Sequence, residues 1–152
     1  MDPKSIDAKN IADNTKGEMT SMEEFGIDKD DEMYQDYAQM NTAANNVLAA
    51  EQKVKAVKEL KDIENQLGQI ADELDNMDGT EDYYSNFADE YAYLRKKHKD
   101  LAGQLDPNSD YYKTDVDKIE DIAQAELKGA QNQLLLQQII QKDHDNKLND
   151  SF

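Results

Sequence analysis

Apolar and aromatic side chains recur every three or four residues between positions 84 and 105 of this chain. The set is Tyr84, Phe87, Tyr91, Leu94, His98, Leu101 and Leu105. This spacing places all seven on one face of an α-helix, whereas a strand would alternate at every second residue. Such a face is stable only when it is covered, so the segment, about 82–104, is predicted to be a helix that packs against other helices.

Two more segments have the same period. The first carries Ala43, Val47, Ala50, Val54, Val57, Leu60, Ile63, Leu67, Ile70, Leu74 and Met77. The second carries Tyr112, Val116, Ile119, Ala123, Leu127, Ala130 and Leu134. Both patterns predict helices, at about 41–77 and about 110–143.

Short polar segments mark the boundaries between these helices. Residues 78–80, Asp-Gly-Thr, contain a glycine that stops one helix, and Thr80 or Asp82 can cap the next. Pro107 ends the second helix, and Ser109 or Thr114 is expected to cap the third. The predicted fold is therefore all-α: an elongated three-helix bundle, similar to a coiled coil, with an N-terminal extended arm.

The arm is residues 1–36, where apolar side chains are sparse and Gly17 and Gly26 interrupt helical patterns. Such a segment buries too little apolar surface to order itself, so we expect a flexible acidic arm, ordered by a partner or not at all. The helical bundle is expected over 37–146 and a polar tail over 147–152. If a partner orders the arm, Met19, Met22 and Phe25 form one face of a short docking helix.

Charge and composition exclude several classes of function. The chain has 34 acidic and 17 basic residues, a net charge of -17 at pH 7, and this field repels nucleic acid. It has no cysteine, no apolar run long enough for a membrane span and no N-terminal pattern of a classical secretory signal. The expected location is the cytoplasm or the interior of an assembled particle such as a virion.

No motif in the chain indicates catalysis. A calcium loop with Gly79 at its sixth position would place Leu74 first and Ser85 twelfth, where carboxylates are required. His98 lies on the apolar face of its helix, where it is expected to bond a neighbouring helix or reach out at the bundle edge, and His144 is expected in solvent. We therefore expect no enzyme activity, cofactor, metal or small-molecule substrate.

The end of the third helix is apolar on more than one face, which requires more than one neighbour. The residues expected to bind protein partners are Met19, Met22, Phe25, Leu135, Leu136, Ile139 and Ile140. The partners expected are copies of the chain or neighbouring subunits. The function expected is a non-enzymatic structural or assembly subunit of a phage virion or another bacterial machine. The alternative is an acidic cytosolic adaptor or chaperone that shields a basic or aggregation-prone client.

Overall fold

The computed structural model describes residues 7–76, 81–106 and 115–150, with the side chains of 81–86 and 148–150 left out. Within these ranges the chain forms four helices and no strand. They are α1 (Ala8–Glu24), α2 (Glu32–Asp75), α3 (Glu81–Leu105) and α4 (Val116–Asp150). The all-α class is confirmed, but the three predicted helices are four. Met77, the turn at 78–80, Tyr112 and the predicted caps Ser109 and Thr114 lie outside the described residues.

Helix α1 occupies 17 residues of the segment 1–36 that was predicted to be an extended arm. The Asp7 side chain accepts a hydrogen bond from the Asn10 backbone N–H at 3.1 Å and caps the helix. Ala8, Ala12 and Thr15 are buried although none is a large apolar residue. Gly17 is exposed with open space around it, and one such glycine costs a helix only about 1 kcal/mol.

Directional hydrogen bonds hold α1 against α2. Asn41 Nδ2 donates to the Ala12 carbonyl at 2.9 Å and to Thr15 Oγ1 at 3.1 Å. Near the other end of α1, the Tyr34 hydroxyl donates to a Glu23 carboxylate oxygen at 2.7 Å, and this bond raises the pKa of Tyr34. The physical reason for the difference from the prediction is that small side chains with satisfied polar partners allow close packing without a large apolar face.

A tight turn joins α1 to α2 and moves the start of α2 forward. Gly26 has φ 76°, and the N–H groups of Gly26 and Ile27 donate to the carbonyls of Glu23 at 3.0 Å and Met22 at 2.9 Å. This is a Schellman motif, whose left-handed position suits glycine. Asp31 then caps α2 by accepting from the Met33 N–H at 2.9 Å. Helix α2 therefore begins at Glu32 and not near residue 41.

The chain divides into two compact units. The first unit contains residues 1–52 and 124–152, and the second contains residues 53–123. In the first, one buried cluster joins α1, α2 and α4 through Ala8, Ala12, Ala43, Ala44, Val47 and Leu134. In the second, two clusters have the buried members Val57, Leu60, Ala102, Val116, Ile119 and Ala123, and Ile63, Leu67, Ile70 and Leu94.

The second unit confirms the helical faces predicted from periodicity, apart from positions outside the described residues. His98 is only 1% exposed, and its Nε2 lies 2.9 Å from Glu64 Oε1 on α2, so the expected bond to a neighbouring helix is present. A carboxylate only accepts, so Nε2 carries the proton in this contact. Lys61 Nζ lies 2.7 Å from Glu120 Oε2. This bond raises the pKa of Lys61 and ties α2 to α4 within the unit.

Candidate interaction surfaces

The structure separates the seven predicted partner residues into exposed and covered groups. Phe25 is 85% exposed, Leu136 47% and Ile139 65%. Met22 is buried within the chain. Met19, Leu135 and Ile140 are half-buried. The structure thus places Phe25 on the surface of the α1–α2 turn and Leu136 and Ile139 on the surface of α4, whereas Met22 contributes to the interior.

Leu136 and Ile139 lie in a segment of α4 without charge. Residues 129–141 contain no Asp, Glu, Lys or Arg, and neither do residues 37–50 of α2, in a chain that is 34% charged. Both segments belong to the first unit. Exposed helix positions are ordinarily where charges are found. In these two segments the exposed positions are instead neutral, for example Gln39, Thr42 and Asn46 on α2.

The two uncharged segments form an open groove of about 440 Å³. We call it the amide groove, and its lining is Gln35, Ala38, Gln39, Thr42, Ala43, Asn46, Gln133 and Gln137. Five of these eight side chains are amides, which both donate and accept hydrogen bonds. The groove therefore offers polar groups to a partner without presenting any charge.

A second cavity, of about 450 Å³, lies in the same unit where the start of α2 meets the end of α4. Its lining is Asp31, Glu32, Met33, Asp36, Gln141, His144, Asp145 and Lys147. His144 Nδ1 lies 2.8 Å from Asp36 Oδ2, so the expectation that His144 is in solvent is wrong. The reason is that α4 continues past residue 143 to Asp150, which carries His144 alongside α2.

His144 and Tyr37 have raised pKa values. The hydrogen bond to Asp36 raises the pKa of His144, and the nearby carboxylates of Asp36, Glu32 and Asp143 raise it further. Burial raises the pKa of Tyr37, with added effects of Glu18, Asp145 and Asp36. Both effects favour the protonated form of the imidazole, in which His144 and Asp36 form an ion pair between the two helices.

This ion pair predicts a pH-dependent contribution to stability. Because the pKa of His144 is raised in the folded chain, the contribution is complete below the unfolded pKa of about 6.5 and is lost as pH rises through the raised value. We expect the melting temperature of the chain to exceed that of His144→Gln by more at pH 6 than at pH 8.5. An equal difference at both pH values, measured by circular dichroism, would show that the contact is not ionic.

The cavity lining contains no hydroxyl or thiol nucleophile. Among the described residues, no three His, Asp or Glu side chains are placed to hold a metal ion together. None of the helices in the described part of the chain is long and apolar enough to cross a membrane. The groups that line the cavity can bind through hydrogen bonds and charge.

Sequence reasoning missed the amide groove and the Asp36–His144 pair. The uncharged runs are visible in the sequence, but neither run indicates that it lies beside the other. The run at 37–50 carried a signal, the loss of charge at exposed helical positions. The Asp36–His144 pair has no such signal in the sequence, because its two residues are 108 positions apart.

Models of known protein families, curated proteins and solved structures were each compared with the chain, and none of the three comparisons gives a match. The function of this chain is therefore inferred from its own surfaces.

Proposed function

We propose that this chain is a non-enzymatic structural or assembly subunit that acts through helix–helix contacts in a larger complex. The larger complex is a phage virion or another multi-subunit bacterial machine. Its partners are copies of itself or neighbouring subunits. The contacts are assigned to the first unit, which carries the amide groove and the exposed Leu136 and Ile139.

The observation that carries the proposal is the neutral, partly apolar surface of α4 in an otherwise highly charged chain. Leu136 and Ile139 remain exposed on a segment with no charged residue to keep it in water. An exposed apolar patch on a helical surface is the usual mark of a protein contact. Removal of these side chains from water on assembly stabilises a complex by roughly 25 cal/mol per Å² of apolar surface.

An acidic adaptor or chaperone is the second candidate, and the net charge of -17 favours it. Such a protein attracts a basic client through its charged faces, and the attraction weakens with added salt. The uncharged segments have no role in that mechanism. The two functions therefore use different surfaces of the same chain.

To test the proposal, variants at two exposed positions of α4 are expressed in the cells that make the protein, and the complex that co-purifies with each variant is measured. We expect Leu136→Asp with Ile139→Asp to abolish co-purification of the chain with its complex in fixed stoichiometry. Each carboxylate placed inside a desolvated contact costs about 1–3 kcal/mol or more. Ile122→Asp, at a position of the same helix that is 50% exposed but lies in the second unit, is the control and should assemble normally.

Retention of wild-type stoichiometry by the double variant would overturn the structural-subunit function. Exchange of the wild-type chain between clients, with loss of binding in high salt, would identify the adaptor function instead.

A further inference from the structure

We infer that the amide groove is a docking surface for a second copy of this chain. The contact is two-fold and is formed by the same face of both copies. The inference rests on the proposed function, since it names one partner of the subunit. Its observations are the neutrality of the lining, the chemistry of the amides and the charge of the whole chain.

The charge of the chain selects a face of this kind for self-association. Two copies of charge -17 repel each other wherever their acidic faces approach. The amide groove has no charged lining residue, and seven of its eight lining residues belong to segments 37–50 and 129–141, which have none on any face. Here two copies approach with the least repulsion. A basic partner, by contrast, would gain nothing from a surface without a carboxylate.

The amides make the face complementary to itself. Each Gln or Asn side chain carries two N–H donors and a carbonyl acceptor, so identical groups bond to one another across a two-fold axis. Gln39 and Asn46 on α2 and Gln133 on α4 are exposed and ready for such bonds. Ala38 and Thr42 are small side chains between them, which permits the close approach of a second helix.

The groove has the dimensions of a helix contact. Its lining positions on α2, from Gln35 to Asn46, follow one another at alternating steps of three residues and one residue and extend over about three helical turns. A volume of about 440 Å³, open along one side, accepts a row of side chains from a neighbouring helix. In the two-fold arrangement each copy places its own side chains in the groove of the other.

The test uses the full chain and glutamine-to-glutamate changes that alter charge and hardly alter shape. Gln39→Glu with Gln133→Glu adds two like charges to the groove of each copy. Gln66→Glu with Gln124→Glu adds the same charge to exposed positions of the same two helices outside the groove. We expect the wild-type chain and the control to form dimers in sedimentation equilibrium, and the dissociation constant of the groove variant to rise at least about tenfold.

A complementary pair of variants tests the two-fold geometry. Gln39→Lys with Gln133→Lys should also dissociate alone, and an equal mixture with the glutamate variant should restore dimers because opposite charges then meet. Circular dichroism should show unchanged helix content in every variant.

Three results would overturn the inference: a wild-type chain that stays monomeric up to about 1 mM, a glutamate variant that dimerises like wild type, or a mixture that fails to dimerise. If the wild-type chain is monomeric and Leu136→Asp with Ile139→Asp still abolishes co-purification, the second copy is excluded as partner and the proposed function stands.

Discussion

Leu60→Ala should lower the free energy of unfolding by about 2–5 kcal/mol, the range seen when a buried leucine is truncated and a cavity remains. Leu60 is 0% exposed. It belongs to the cluster in which α2, α3 and α4 of the second unit meet, with Ala102 and Ile119 among its members. Three helices surround the side chain, so the lost contacts are not recovered by the movement of one of them.

Urea denaturation followed by circular dichroism measures this effect. Ile122→Ala in the same unit is the matched control, because Ile122 is 50% exposed and its truncation should cost less than about 1 kcal/mol. Equal losses for the two variants would mean that periodicity has not identified the core of this unit.

Ala12→Asp should release α1 from the first unit and cost more than about 2 kcal/mol, since a carboxylate cannot be buried without a partner. Ala12 is 6% exposed and lies in the buried cluster with Ala43, Ala44 and Leu134. Its backbone carbonyl also accepts from Asn41, so displacement of the helix breaks that hydrogen bond as well.

Hydrogen exchange is the appropriate measurement, because it reports α1 separately from the rest of the chain. We expect loss of protection across residues 8–24. Asn14→Asp introduces the same carboxylate two residues away at an exposed position and should leave protection intact. If wild-type α1 shows no protection at all, the flexible arm expected from the sequence describes the chain in solution better than a packed helix.

The contrast between α1 and α3 shows what the sequence predicts well. In α3 the packed face includes large residues such as Phe87, Tyr91 and Leu94, which are spaced four and three residues apart. In α1 the corresponding positions, Ala8, Ala12, Thr15, Met19 and Met22, also follow steps of three and four, but alanine and threonine do not register as apolar anchors. Periodicity of large side chains therefore detected one helix and missed the other.

Features that depend on segments distant in sequence were not predictable. The amide groove needs residues 35–46 beside Gln133 and Gln137, and nothing in either segment specifies the other. Leu136 and Ile139 were predicted to bind a partner because the end of α4 is apolar on more than one face, and both are exposed in the structure. The local property, neutrality, is written in the sequence; the pairing of the two neutral segments arises from tertiary structure.

The hydrogen bonds of Asn41 decide where α1 sits along its own axis. A face made of alanines is nearly smooth, and by itself it would allow α1 to slide by a turn with little loss of packing. Sliding in either direction would replace Thr15 with Ile11 or Met19, and the Asn41 amide would lose its hydroxyl acceptor. A single polar group among small side chains thus selects one register from several of similar packing, as a buried asparagine does in coiled coils.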